Sequence, residues 1–313
     1  MIGTDEAGYG PNLGPLVVTA TQWDLPAPPH EFDLADSLRG VAAPKATADG
    51  RLQIADSKRV FQPGKGLAAL EIPVLALLSA AGLHPRSWSE LRRELMPRSE
   101  DLSGDFLAPW YGEVDFPLPL AVEAGAVAQA GERLCAGLAA AGVRLTAVRS
   151  DVVTEVRFNR LTDVAHSKGT VLTDVTLSLI RSLWSAECST ATLIVGDKHG
   201  GRNRYVEPLL QLADGAFVAT QEESRPCSRY LVATAEFRFE TRGERYLPVA
   251  AASMVSKYVR EVAMRGVNAF WQRYLPDLKP TQGYPQDAAR FRAEIAAVQR
   301  RLGLADDLVW RRR

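Results

Sequence analysis

A helix-length stretch from about His166 to Ser185 runs into the short apolar segment Ala191-Thr192-Leu193-Ile194-Val195-Gly196-Asp197, and this order constrains the fold more than any other feature of the chain. Helix followed by strand is the mark of an α/β unit. It puts Asp197 at the C-terminal end of a strand, where open sheets gather their chemistry. The beginning of the chain repeats the pattern. Met1-Ile2-Gly3-Thr4-Asp5-Glu6 reads as a strand. A loop holding Gly8, Gly10, Pro11 and Gly14 leads to the β-prone run Leu16-Val17-Val18-Thr19-Ala20-Thr21. Glycine and proline between such runs signal a tight turn, so Asp5 and Glu6 are expected at a strand end beside a close backbone loop.

Elsewhere the periodicities predict an apolar helix over Leu67 to Ala81, interrupted at Pro73, an Ala-rich helix over 122–141 and a half-buried strand over Val143 to Val153. Ala216 to Thr220 and Tyr230 to Glu240 read as a long hairpin. A helix opens at Pro248 and extends over 247–270, since proline is tolerated in a first turn. Residues 24–50 and 85–120 are rich in Pro, Gly, Ala and charge with poor periodicity, and read as loops and an inserted subdomain. The expectation is an α/β fold with a mixed central sheet flanked by helices. A single catalytic domain spans 1–313, with an insertion around 85–120 and a helical C-terminal region over 247–313.

Composition sets outer bounds. With 46% hydrophobic and 24% charged residues the chain has material for a large core. No apolar run reaches the roughly 20 residues of a spanning helix, and no basic leader precedes the first strand, so a cytoplasmic protein without membrane attachment is expected. Cys135, Cys188 and Cys227 are odd in number and far apart, which argues against a disulfide framework. The 37 basic and 37 acidic residues cancel, so the overall field gives no sign of a nucleic-acid partner. Lys198, His199, Arg202 and Arg204 form a local basic cluster, as do Arg311, Arg312 and Arg313.

Four acids fall at strand ends or at the mouth of a helix: Asp5, Glu6, Asp197 and Glu244. Hydrolysis of a phosphodiester by two hard cations about 3.5–4 Å apart needs such carboxylates, contributed by separate elements. Glu240 competes with Glu244 for the fourth place. His199, close behind Asp197, is a candidate proton shuttle by chemistry alone.

The wording of the motifs adds to this. Ile2-Gly3-Thr4-Asp5-Glu6-Ala7-Gly8-Tyr9-Gly10-Pro11 with Gly14-Pro15-Leu16 resembles the opening signature of bacterial ribonucleases HII and HIII. In the same order, Ala55-Asp56-Ser57-Lys58 looks like the Asp-Ser-Lys loop of that family. Leu193 to Asp197 looks like the strand bearing its third acid, and Ala250-Ala251-Ala252-Ser253 with Lys257 and Arg260 is similar to its Ala-Ala-Ser helix. Gly283-Tyr284-Pro285 resembles a Gly-Tyr element near its C-terminus.

The resemblance implies a ribonuclease H-like fold and a metal-dependent endonuclease that cuts the RNA strand of an RNA–DNA hybrid, or of DNA containing ribonucleotides, leaving 3′-hydroxyl and 5′-phosphate ends. It implies Mg²⁺ or Mn²⁺ on Asp5, Glu6, Asp197 and Glu244. Backbone at Gly8, Tyr9 and Gly10 would meet the 2′-hydroxyl. Ser57, Lys58, Ser253, Lys257 and Arg260 would hold phosphates, and Tyr284 would stack on a sugar or base. The pattern also departs from the family: Tyr9 stands where type HII members carry Arg, and the stretch from Lys58 to Asp197 is long. Two other readings are a nucleic-acid-binding protein of the same fold without catalysis and another ribonuclease H-like nuclease.

Overall fold

The computed structural model describes residues 1–61, 66–96, 106 and 108–312. Nine strands and twelve helices alternate along these residues. The first half runs β1 (Ile2–Ala7), β2 (Leu16–Asp24), α1 (Leu34–Ser37), β3 (Ala42–Ala43), β4 (Leu52–Gln53), α2 (Ser57–Val60), α3 (Ala68–Ala80), α4 (Trp88–Leu95), α5 (Pro109–Gly112), α6 (Ala124–Ala140) and β5 (Arg144–Val153). The second half runs α7 (Glu155–Ala165), α8 (Lys168–Arg181), β6 (Thr192–Asp197), α9 (Val206–Leu212), β7 (Val218–Glu223), β8 (Cys227–Val232), β9 (Ala235–Glu240), α10 (Leu247–Gln272), α11 (Pro285–Arg301) and α12 (Asp306–Val309).

Seven strands form one mixed sheet in the order β5-β2-β1-β6-β9-β8-β7, with β1, β6 and β9 running parallel at its centre and the outer pairs antiparallel. Parallel neighbours need crossovers that cover the sheet, and the chain supplies one layer on each face. On one side α10 lies along β1 and β2 and joins α3, α4, α6 and α11 in a core that includes Trp88, Trp110, Trp271 and Phe291. On the other, α7, α8 and α9 pack against Ile2, Ile194, Phe237 and Phe239. The two layers cover the sheet unevenly: β6 reads as the apolar run Leu193-Ile194-Val195, while β9 alternates Phe237 and Phe239 with the half-exposed Glu236 and Arg238.

The approach of α10 to the sheet is set by one residue. A Cβ on Gly3 would stand 2.3 Å from the Pro248 carbonyl carbon, so only glycine lets the first turn of α10 rest on β1. That contact brings Ser253 and Ser256 of α10 to the end of β1.

Several elements differ from the sequence expectation. Pro73 does not interrupt α3, which runs unbroken from Ala68 to Ala80. One lost backbone hydrogen bond is outweighed by burial of Leu70, Val74, Leu77 and Leu78 around it. The expected long hairpin is a three-stranded meander, because a turn at Ala233, with φ at +50°, divides β8 from β9. A further helix, α7, follows β5 directly and ends where His166 adopts a left-handed conformation. Within 85–120, Trp88, Leu91 and Leu95 of α4 and Trp110 and Tyr111 of α5 are buried in the same core as α10. Residues 97–105 and 107 of that stretch, and Arg313 of the C-terminal basic cluster, lie outside the described residues.

Candidate active site

β1 and β6 pair in parallel with Thr4 opposite Gly196, so Asp5 and Asp197 come level one residue further on, at the C-terminal ends of adjacent central strands. Neighbouring strands are about 4.8 Å apart. Successive side chains point to opposite faces. With Ile2 packed in the α8 layer, Asp5 faces α10 and Glu6 faces away from it. Val195 packs against Val249 of α10, so Asp197 shares the face of Asp5. The acids therefore straddle the sheet edge, two on the α10 side and Glu6 on the other.

Their environment opposes full ionisation. Burial, then the Glu6 carboxylate, pushes Asp5 well above the usual carboxylate range, while a hydrogen bond from Ser253 works the other way. Glu6 is pushed up to about 7 by burial and by Asp197, against the pull of Lys58. Asp197 is raised by burial and by Glu244. It is held down by the backbone N–H of Gly243, which donates to its Oδ1 at 2.5 Å, and by Lys58. The structure thus brings Asp5, Glu6, Asp197, Glu244, Lys58 and Ser253 into one electrostatic neighbourhood. Ser57 joins them through its N–H, which donates to Ser253 Oγ at 3.2 Å.

Three participants had no role assigned from the sequence. Asp56 caps α2 by accepting from the N–H of Lys58 and adds negative charge near Asp197. Ser256 donates to the backbone oxygen of Asp5 at 3.0 Å. Gly243 could have been suspected from its place just before Glu244, but its bond to Asp197 needs the meander and α10 to be in position. Glu240 is committed elsewhere: Arg245 lies 2.6 Å from its Oε2, and the Tyr246 hydroxyl donates to its Oε1 at 3.3 Å.

The remaining predicted residues form a second group around the glycine loop. Gly8 has φ at +90°, and a Cβ there would meet Arg260 Nε and the Pro15 oxygen at 2.5 Å each, so the loop is closed down on the guanidinium. Arg260 is buried rather than on a solvated face. It donates to the Gln282 oxygen at 2.8 Å and lies over the ring of half-exposed Tyr284. Arg311 donates to the oxygens of Gly8, at 2.6 Å, and of Pro11, and Glu155 accepts from the Gly14 N–H at 2.9 Å. Gly10 is exposed with open space around it. Tyr9 is half-buried and feels the charge of Glu6. Lys257 is paired with Glu261 at 2.5 Å and sits over the ring of Phe61.

His199 is no surface shuttle. It is buried against Tyr205 and Phe239, accepts or donates at Thr173 Oγ1 over 3.1 Å, and is pushed down to about 3 by burial and by Arg202. Three members of the two basic clusters are likewise engaged within the fold. Lys198 is hydrogen-bonded to Ser228, Asn203 and the Ser224 oxygen, Arg311 is buried, and Arg312 pairs with Asp163 and Asp307.

Among the described residues no three His, Cys, Asp or Glu side chains are gathered tightly enough to hold a metal ion as they stand. In chemistry the donors suit a hard divalent cation, because oxygen ligands carry excess negative charge at the strand ends and Lys58 is the cation that offsets it. No helix among the described residues is long and apolar enough to cross a membrane.

No family model matches the chain, and no curated protein matches it. Solved structures do. The ribonuclease H2 of Pyrococcus horikoshii OT3 is 17% identical over 98% of this chain and 90% of its own, with a TM-score of 0.47. The ribonuclease HII of Archaeoglobus fulgidus, solved in a complex with PCNA, is 15% identical over 100% of this chain and 93% of its own, with a TM-score of 0.43. A ribonuclease HIII designated Bst, solved in complex with Mn²⁺, is 12% identical over 99% of this chain and 65% of its own, with a TM-score of 0.42. These are the solved structures the chain is similar to, at 12–17% identity over nearly its whole length.

Proposed function

We propose that this chain is a divalent-cation-dependent endonuclease that hydrolyses the RNA strand of RNA–DNA hybrids, leaving 3′-hydroxyl and 5′-phosphate ends. One observation carries the reading: Asp5 and Asp197 end adjacent parallel strands on the same face, with Glu6 and Glu244 close enough to raise their neighbours' carboxyls. Structural stability alone does not favour such a gathering, since like charges brought together in a half-buried place destabilise the fold. A cationic ligand explains it.

Asp5, Glu6, Asp197 and Glu244 would hold Mg²⁺ or Mn²⁺, which when bound supplies an activated water and offsets charge at the phosphate. Glu244 takes the fourth place because Glu240 is already paired with Arg245. The chain's own groups then have defined tasks. Ser253 and the Gly243 N–H fix the carboxylates of Asp5 and Asp197 in one orientation, and Ser256 fixes the end of β1. Lys58, close enough to lower both Glu6 and Asp197, supplies positive charge for a phosphate. Gly10, with open space where a Cβ would stand, gives backbone that a ribose 2′-hydroxyl can approach, and Gly8 lets the loop carrying it close on Arg260.

The test is cleavage of a labelled hybrid in Mg²⁺ or Mn²⁺, run beside the matching DNA duplex and a branched DNA. Cutting of the hybrid alone is expected, and failure of the native chain to cut it with either ion would refute the proposal. Binding without cutting would leave the non-catalytic reading, and cutting of branched DNA only would mean another nuclease of this fold.

A further inference from the structure

A cleft of about 460 Å³ opens beside Asp197, and its walls come from three separate loops. Lys198 and Asn203 follow β6, Arg225 lies in the turn between β7 and β8, and Thr241 and Arg242 follow β9. The volume falls in the range of about 300–1,000 Å³ usual for ligand clefts. Its chemistry is unusual for one: the lining has no aromatic and no large apolar side chain. A base or an apolar ligand would find no surface to stack on. Two exposed arginines, an amide and a hydroxyl are instead groups that hold nucleic-acid backbone phosphates, with the Asp197 carboxylate at one side of the lining.

Two features show that the walls are built. Lys198 sits behind them with its ammonium group bonded to Asn203 Oδ1 at 2.8 Å, the Ser224 oxygen at 2.8 Å and Ser228 Oγ at 2.7 Å, which ties the loop after β6 to the turn that carries Arg225. Arg242 has φ at +78°, a conformation that a side chain with a Cβ rarely adopts. The same conformation precedes the Gly243 N–H that donates to Asp197, so one strained residue serves both the acid and the cleft. The Arg225 and Arg242 side chains are exposed and form no ion pair or side-chain hydrogen bond among the described residues.

We infer that this cleft binds a backbone phosphate of a nucleic-acid strand next to the one presented to Asp5 and Asp197, with Arg225 and Arg242 as the phosphate-contacting residues and Lys198 as the positioning residue. The inference rests on the nuclease reading for the identity of the strand. The cleft's preference for a phosphate stands on its lining alone.

The experiment uses the full chain, with Arg225→Ala, Arg242→Gly and the double variant. Glycine suits the backbone at position 242, so that variant keeps the fold. Binding of a labelled hybrid without divalent ions is measured from low to moderate salt. The slope of log affinity against log salt should fall by about one for each variant, with affinity down about fivefold to tenfold at 0.1 M salt. In a second arm, inorganic phosphate should raise the melting temperature of the native chain and not of the double variant. Unchanged slopes in both variants, with hybrid still bound, overturn the inference. Loss of hybrid binding and cutting in the native chain, with phosphate still acting through the two arginines, would sink the nuclease reading and leave an anion cleft filled by free phosphate. No effect of phosphate and no hybrid binding would sink both.

Discussion

Asp5 lies between two demands that cannot both be met without a ligand: it is buried near the end of β1, and the negative charges of Glu6 and Asp197 lie close by. Removing its charge should therefore have opposite effects on activity and stability. Asp5→Asn is expected to lower hybrid cleavage by at least about a hundredfold, since a ligand carboxylate is lost. In buffer without divalent ions the same variant should melt no lower than the native chain, with a gain of up to about 1 kcal/mol from relieved repulsion. A fall in both would mark Asp5 as a structural acid. Ser253→Ala separates orientation from charge. It should reduce cleavage about tenfold while leaving the four carboxylates in place, read as a lower kcat at unchanged KM. Cleavage at the native rate would mean that the serine bond to Asp5 does not position it.

α10 and β1 together place most of the site, and their contact depends on Gly3. Gly3→Ala puts a methyl group into the Pro248 backbone, which cannot swing aside as a side chain would. A loss of about 1–3 kcal/mol is expected from such overpacking, measured by denaturant unfolding, with cleavage reduced further than stability because Ser253 and Ser256 move with the helix. Elements with strong local signals were legible in the sequence: β1, β2, β5, β6 and α10 each carry their own periodicity and punctuation. The turn at Ala233 was not, because it has neither glycine nor proline and its positive φ is imposed by pairing of β8 with β9. Pro73 misled for the same reason, since burial on all sides outweighs a local preference. In the site Asp5, Glu6 and Asp197 were legible as acids at the ends of strands with their own patterns, and Glu244 as the acid nearest before α10. The roles of Arg260, Arg311 and Glu155 beneath the glycine loop were not, since contacts from Gly8 to Arg311 span nearly the whole chain.

At the scale of the whole molecule, the titrating groups give stability a pH dependence whose sign can be worked out. Glu155 is buried beneath the glycine loop, bonded to the Gly14 N–H and the Tyr111 hydroxyl, and pushed up to about 7 by burial. Asp5 and Glu6 are raised in the same direction. A raised carboxyl keeps its proton in the native state after the unfolded chain has lost it. These groups therefore contribute stability that is present below the ordinary carboxylate range and is lost as pH rises toward 7. His199, pushed down to about 3, works the other way: the unfolded chain takes up a proton below about 6.5 that the native state refuses, so its contribution is lost as pH falls. These raised acids, with Asp197 raised in the same direction, outweigh one histidine, and without divalent ions the melting temperature should decline between pH 5 and 7.5. Glu155→Gln keeps an acceptor oxygen for the Gly14 N–H and turns its amide N–H toward the Tyr111 hydroxyl, which can rotate to accept, and it should flatten that decline without abolishing it. Millimolar Mg²⁺ or Mn²⁺ at pH 7.5 should recover stability in the native chain, because a ligand bound only by the folded state shifts unfolding by mass action. The recovery should be absent in Asp5→Asn and intact in Glu155→Gln. Equal recovery in all three proteins would mean that the ions act elsewhere, and the charge gathered at the ends of β1 and β6 would need another explanation.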